Sequence, residues 1–361
     1  MRRCSSPSRA VEGWSACDRT VDACPPGPLP TQGPPPAQGR GGRRGHRADC
    51  RPERRGPAAR RGRPHPRPGR PGLFGVGTKS EILIVHTLRL PRIEAALWAG
   101  AAFGLAGAVF QSVLRNPLAS PDILGISSGA SLGAVAAVLW FGWSGVAISL
   151  SAFVGALVVA LAIWALAWRK GLHGIRFVLV GIGLSYLSGS LISWLLSESS
   201  VREAQPVLLW TIGSVADVRG DHLDVLGWLV LAFATVIALS ARPLRALSLG
   251  DELAKGLGVS LDRSRLVLLL ASVALVATAI SLTGPIAFVA LLAAPIARRL
   301  QNDGGPALLV SCFVGAALTL AADVLGQHAV PGLVAPVGIV TGLIGAPYLL
   351  VLLAGQRKAT S

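Results

Sequence analysis

The chain is poor in charge, and the charge it has is unevenly placed. Asp, Glu, Lys and Arg make up 14% of 361 residues, against 52% apolar residues. Residues 1–72 hold 16 Arg, no Lys and 5 acidic residues, a net of +11, while the rest of the chain carries 18 basic and 13 acidic groups, a net of +5. The overall excess of +16 therefore describes the first 72 residues more than the body. A basic arm can serve nucleic acid or a membrane surface. Here 14 of the 25 prolines interrupt it, and Trp14 is its one aromatic ring. It thus lacks a platform on which bases could stack. The composition predicts a disordered segment and no nucleic-acid partner.

Other absences exclude further classes. Cys4, Cys17, Cys24 and Cys50 lack paired ligand spacing, Cys312 sits in an apolar run, and His173, His222 and His328 are scattered. No metal site or cofactor is expected from such a pattern. The stretch "GVGTKS" at 75–80 lacks the adjacent Gly-Lys of a phosphate loop, and no strand precedes it. No constellation of nucleophile and base appears either, so no catalytic residue is assigned. No apolar stretch of roughly 7–15 residues near the start reads as a signal peptide.

Long apolar runs are what the sequence has in abundance. Crossing the hydrocarbon takes about 20 apolar residues per helix. Segments of that kind lie near 93–114, 123–141, 145–168, 177–197, 223–241, 266–282, 306–325 and 334–354, with a shorter one near 286–297. The expectation is an all-α polytopic membrane protein with nine readable spans. Gly100-x-x-x-Gly104, Gly129-x-x-x-Gly133 and Gly338-x-x-x-Gly342 fit close helix packing. Glu94 and Asp323 fall near span ends, where a partner or water is reachable. The scarcity of ionisable groups at mid-membrane argues against an ion-coupled secondary carrier.

Charge sets the orientation. Alternate loops carry Arg115; Arg169, Lys170 and Arg176; Arg242, Arg245, Lys255, Arg263 and Arg265; Arg298 and Arg299; Arg357 and Lys358. From residue 142 on, the opposite loops carry only Arg202 and Arg219. The first set is expected in the cytoplasm, with the C-terminus. The stretch before residue 93 then faces outside, which would require export of the arginine-rich segment. A first span is missing from this reading.

The loop "SLGDELAKGLG" at 248–258 reads as a short polar helix. Gly250 and Asp251 suit its start, Glu252 its first turn, Lys255 its last, and Gly256 and Gly258 its end, with Leu257 between them. A capped polar helix between two spans calls for a partner on the same side of the membrane.

Three stretches carry a resemblance: "LRLPRIEAALWAGAAFGLAGAVFQSVLRNPLASPDILGISSGASLGAV" (88–135), "LGDELAKGLGV" (249–259), and "GPIAFVALLAAPIARRL" (284–300) with "PVGIVTGLIGAPYLLVLL" (336–353). Together they resemble the permease subunits of bacterial ABC importers for iron(III)-siderophores, haem and vitamin B12. The "SPDILG" turn and "ARRL" ending look most like the catecholate branch. The resemblance implies ten spans per subunit in the cytoplasmic membrane and a second permease subunit, identical or paralogous. It also implies two cytoplasmic ATPase subunits and an extracytoplasmic binding protein. Cobalamin or haem as cargo, and a defective family member, remain alternatives. The match begins abruptly near Leu73. Residues 73–361 thus form the expected permease domain, and residues 1–72 are expected to be non-native or misread and to contribute nothing to transport.

The resemblance also implies site residues. Residues 248–260 match the loop that docks on the ATPase. Arg89 and Arg92, in "RLPR", match the position that meets acidic residues of the binding protein; contact with lipid headgroups is the alternative. The fifth span of the family lines the translocation path, which here implicates Ser185 and Ser188, although hydroxyls bonding between helices would explain them equally. "RNPLASPDILG" (115–125) is either a tight turn or part of a gate to which Gln111, four residues before it, and its own Asn116 contribute, with Asp122 suiting the start of the next helix. Where the family has Pro, a polar residue and Ile, this chain has Ala294-Pro295-Ile296. A shifted proline kink is expected to turn the helix end bearing Arg298 and Arg299.

Overall fold

A computed structural model describes residues 79–168, 174–216, 218, 220–302, 304–329 and 334–359. The arginine-rich segment, and with it the expectation for residues 1–72, lies outside them, as do Arg169, Lys170, His173 and Arg219. Every element is helical among the described residues. In chain order they are α1 (Lys79–Ile84), a π-helical turn (Val85–Arg89), α2 (Leu90–Val113), α3 (Ile126–Leu139), α4 (Val146–Ala167), α5 (Gly174–Glu198), α6 (Val201–Ile212) and α7 (Gly220–Leu239). They continue with α8 (Ala241–Leu249), α9 (Asp251–Gly256), α10 (Leu261–Thr283), α11 (Val289–Gln301), α12 (Leu308–His328) and α13 (Val337–Ala359). Six of the described helical segments are long and apolar enough to cross a membrane, and the stretches 126–139 and 337–350 form shorter apolar helices.

Two spans form the centre. In the segments 82–113 and 261–283, 72% of the most apolar window is buried, against 17–28% in the other four. α2 packs against α7, α10, α11 and α12, and α10 also touches α3, α4 and α7. Glycine makes this possible. A Cβ on Gly104 would lie 2.1 Å from the Ser311 carbonyl oxygen, and one on Gly107 would lie 1.9 Å from that of Ala290. The α2 backbone therefore touches α12 and α11 directly. Gly129 and Gly133 pack the same way against Gly155 of α4. The third glycine pair behaves differently. Gly338 meets the Ile212 carbonyl oxygen, but nothing lies within 4 Å of a Cβ on Gly342, so close packing at Gly342 is not formed among the described residues.

Several expected boundaries shift. The first span begins earlier than residue 93, because helix continues from Lys79 through the π turn into α2. Pro91 sits at the start of α2, where its missing donor is least costly. α3 starts at Ile126, after Gly125 in the left-handed region (φ 81°), so Asp122 does not cap it. Instead Asp122 accepts a hydrogen bond from the Ser127 hydroxyl. A Cβ on Gly125 would meet Gly181 and Ser185, midway along α5. Residues 114–125 are thus irregular backbone reaching well into the bundle, which a membrane tolerates only where protein surrounds it.

Two helices go beyond the sequence reading. α6 follows Ser200, whose hydroxyl and the Glu203 carboxylate form a reciprocal capping box. α8 buries Leu244, Ala246 and Leu247 and exposes Arg242 and Arg245. At the far ends of α3 and α5, Trp140 and Trp194 meet edge-on with ring centroids 5.9 Å apart, as befits an interfacial aromatic belt.

Candidate functional site

The polar loop resolves into two helices broken at Gly250, which adopts φ 118° and ψ 157°. Positive φ at this break suits glycine, which lacks the Cβ that opposes it. α9 ends in a Schellman motif. The Gly258 N–H donates to the Lys255 carbonyl at 2.9 Å, and the Val259 N–H donates to the Ala254 carbonyl at 3.0 Å, with Gly258 at φ 76°. Gly256 needs no special conformation and has open space around it. The expected roles of Gly250 and Gly258 are therefore conformational, while Gly256 leaves the surface uncovered.

Asp251 ties this helix to the bundle. One carboxylate oxygen accepts hydrogen bonds from Arg115 at 2.6 Å and from Arg265 at 2.7 Å. Arg115 follows α2 and Arg265 belongs to α10, so loops placed on one side by their charge do meet. Partial burial disfavours the Asp251 charge. The Arg265 hydrogen bond, followed by the charges of Arg265, Arg115 and Lys255, outweighs it and holds the carboxyl below its ordinary value. Glu252 and Lys255 pair loosely at 3.3 Å with both side chains in solvent.

The outward face of this anchored pair is apolar. Leu249, Leu253 and Leu257 are 61–66% exposed, and Leu253 and Leu257 share one face of the turn at i and i+4. Together they form an exposed apolar strip on an otherwise polar helix outside the long apolar spans. Leu249 and Leu253 were not singled out in the sequence, and Arg115 and Arg265 stood out there only as loop charges. An i, i+4 leucine pair opposite Glu252 and Lys255 was the available clue.

The other candidates fall in two groups. At the start of α2, Arg89 is exposed, whereas Arg92 makes a bidentate ion pair with Asp323 of α12. Its Nε lies 2.9 and 3.0 Å from the two carboxylate oxygens, and a terminal nitrogen lies 2.6 Å from one of them. Gln327 donates to the same carboxylate at 2.7 Å. Arg92 is engaged inside the bundle; Arg89 is not. At the other end of α2, buried Gln111 donates to the Leu291 carbonyl at 3.1 Å and accepts from Arg298. It clips α2 to α11 beyond Pro295, and thereby fixes the helix end that the proline shift was expected to turn. Asn116 accepts from the Leu118 N–H at 2.9 Å, closing its own turn.

Ser185 and Ser188 lie on the side of α5 turned into the bundle. Ser185 shares a hydrogen bond with Ser128 of α3 at 3.0 Å, and Ser188 is buried. The open side of α5 carries Gly183, Tyr186, Ser190 and Ser193. Within one chain the two predicted path serines therefore belong to a helix–helix seam.

Comparison with known proteins places this architecture. The chain is 41% identical over 286 residues to the ferric enterobactin transport system permease protein FepG of Escherichia coli, covering 79% of this chain and 87% of that protein. It is 36% identical over 289 residues to the cobalamin import system permease protein BtuC of Halobacterium salinarum, covering 80% and 77%. Among solved structures it resembles the inward-facing conformation of an ABC transporter of metal-chelate type, with a TM-score of 0.70 and 29% identity over 77% of this chain and 89% of that one. The family model of the FecCD transport family matches residues 71–355, and the chain belongs to that family.

Proposed function

We propose that this chain is the membrane permease of an ATP-driven importer that carries ferric siderophores across the bacterial cytoplasmic membrane. On this reading it works beside a second permease subunit. Two ATPase subunits drive it from the cytoplasm, and an extracytoplasmic binding protein delivers the chelate. The α8–α9 pair carries the reading. It is anchored to two spans through Asp251 and presents Leu249, Leu253 and Leu257 to a partner. Such a helix passes the closure of a bound ATPase to α2 and α10, and rigid-body rocking of the spans follows. The similarity to an enterobactin permease favours a ferric catecholate as cargo.

The test is uptake of radioactive iron by proteoliposomes holding the permease, its ATPase and loaded binding protein. ATP-dependent uptake of a ferric catecholate that survives collapse of ion gradients is expected. Uptake that follows the ion gradient with ATP absent would make the chain a secondary carrier and sink the proposal. The cobalamin-importer relative supports a second reading of the cargo, and labelled cobalamin in the same vesicles separates the two.

A further inference from the structure

Beside α9 lies a cavity of about 550 Å³ lined by three arginines and a single carboxylate, that of Asp251. Arg115, at the end of α2, and Arg265, nine-tenths buried in α10, each donate through a terminal nitrogen to the same Asp251 oxygen. A guanidinium has several N–H donors, so Arg115 keeps donors to spare. Arg176, in the first turn of α5, has no hydrogen-bond or ion-pair partner among the described residues. The amino end of α5, a 25-residue helix, opens into the same space at Gly174. The first N–H groups of a helix have no partner within it, and its dipole adds to the positive potential.

These groups sit on elements that are packed separately. α5 packs on α3 and α4, and α9 on α8 and α10. The start of α5 reaches the end of α2 at Gly174, where a Cβ would lie 3.3 Å from the Leu114 carbonyl oxygen. Arg115 and Arg176 carry like charges on either side of this seam, and the one lining carboxylate is already shared by Arg115 and Arg265. The donor set therefore calls for a second anion. Guanidinium forks match the paired oxygens of a phosphate-type anion, and helix amino ends hold the same ligand. Chloride has no such oxygens to offer. A recess beside a polar helix outside the spans takes its anion from water.

We infer that this cavity is a binding site for a soluble oxyanion of the phosphate class, held by Arg115, Arg176 and the amino end of α5. The bound anion bridges the start of α5 to the end of α2 and, through Arg115 and Asp251, to α9. The ion pairs of Asp251 tie α9 only to Arg115 and to α10, so the anion adds α5 to the elements that move with α9. The site stands on this geometry alone. Its consequence for transport rests on the coupling role proposed for α8 and α9, and the test therefore reads binding rather than uptake.

The experiment is calorimetric titration of the purified full chain in detergent with inorganic phosphate, against sodium chloride at the same ionic strength. Saturable binding of one phosphate per chain is expected, with a melting temperature above that in chloride, since a ligand of the folded state stabilises it. Arg176→Gln should weaken the phosphate about tenfold, the loss of one charge-assisted hydrogen bond. Arg176 is exposed, so the variant should melt in chloride as the parent does. Arg176→Lys should recover part of the affinity, because it restores the charge without the fork. Arg242, exposed on α8, does not line the cavity, and Arg242→Gln should leave binding unchanged. Phosphate should also slow hydrogen exchange both in the first turn of α5 and across Asp251–Gly256. Equal melting in phosphate and chloride overturns the site, as does an equal loss of affinity in Arg242→Gln and Arg176→Gln, which would reduce it to diffuse charge. Protection confined to α5 overturns the bridge. A phospholipid that stays bound by native mass spectrometry and that phosphate does not displace assigns the cavity to lipid. If phosphate has no effect and Arg176→Gln weakens capture of the ATPase, the arginines serve an acidic side chain of that partner, and the anion site is again rejected.

Discussion

The guanidinium of Arg92 and the carboxylate of Asp323 form a bidentate pair with a closest approach of 2.6 Å, linking the start of α2 to the last turns of α12. The Asp323 side chain is 2% exposed and that of Arg92 19%, so neither can be removed without stranding a charge. Arg92→Gln is expected to destabilise the chain by about 3–5 kcal/mol, the usual cost of breaking one side of a buried pair. The double replacement Arg92→Met with Asp323→Leu should recover most of it, since no charge is then left unpaired. Thermal melting of the purified chain in detergent measures both. A single variant as stable as the parent would show that the pair is not closed in the membrane.

Arg92 and Arg89 therefore separate experimentally. Arg89→Glu should weaken capture of the loaded binding protein, leave the melting temperature unchanged, and abolish the salt dependence of docking, because exposed pairs are screened. Arg92→Glu should act mainly through lost stability. Surface plasmon resonance at two salt concentrations reads the difference. Docking unaffected by Arg89→Glu removes Arg89 from the interface.

The exposed leucines of α9 give a third expectation, which rests on its proposed coupling role. Leu253→Glu with Leu257→Glu should uncouple ATP hydrolysis from uptake while the chain still reaches the membrane, since both side chains are already in solvent. A loss of uptake of tenfold or more is expected if these leucines sit at the centre of the contact, where about 1.4 kcal/mol already changes binding tenfold. Normal uptake with normal ATPase stimulation would exclude this face as the docking surface.

The long apolar helices and the short helix α9 were legible because each depends on local pattern: apolar length, and a Gly-Asp start with a glycine stop. α8 was obscured because its period is short and it directly follows a span, so Ala241 to Leu247 read as a basic loop. α6 was obscured although Ser200-Val-Arg-Glu203 spells a capping box. Partners distant in sequence were not legible. Nothing local distinguishes Arg92, which turns to Asp323 231 residues away, from exposed Arg89. Gln111 and Arg298, 187 residues apart, are hidden for the same reason. The serines of α5 carry no mark of direction until α3 is packed against them.

Asp251 adds a pH dependence whose sign follows from its lowered pKa. A carboxyl held below its ordinary 3.8 contributes stability above that value and loses it as pH falls through the lower folded value. The link from α9 to Arg115 and Arg265 should therefore persist from neutral to mildly acidic pH and fail only in strong acid. Asp251→Asn removes the charge at every pH. For a pair about one-third exposed, solvent screening limits the effect to roughly 0.2–1 kcal/mol. Limited proteolysis across residues 248–260 should thus accelerate by no more than about fivefold in the variant. Cleavage of the parent that already speeds up near neutral pH would contradict the assignment of Arg115 and Arg265 as its anchors.

Gly104 and Gly342 form the last contrast, since both belong to small-residue pairs spaced by four. A Cβ at Gly104 meets the Ser311 backbone at 2.1 Å, whereas one at Gly342 meets nothing within 4 Å. Backbone cannot yield as a flexible side chain can, so Gly104→Ala must push α2 and α12 apart. Overpacking of this kind costs about 1–3 kcal/mol or more. Gly342→Ala should leave the melting temperature of the isolated chain unchanged and can raise helix stability slightly. The same position is a test of assembly, because a small residue on an open helix face lets another backbone approach. Gly342→Leu should leave the single chain folded yet reduce its pairing with a second permease subunit, seen as a shift from dimer to monomer in analytical ultracentrifugation in detergent. If Gly342→Leu pairs as the parent does, α13 turns this face to lipid, and the second subunit packs elsewhere.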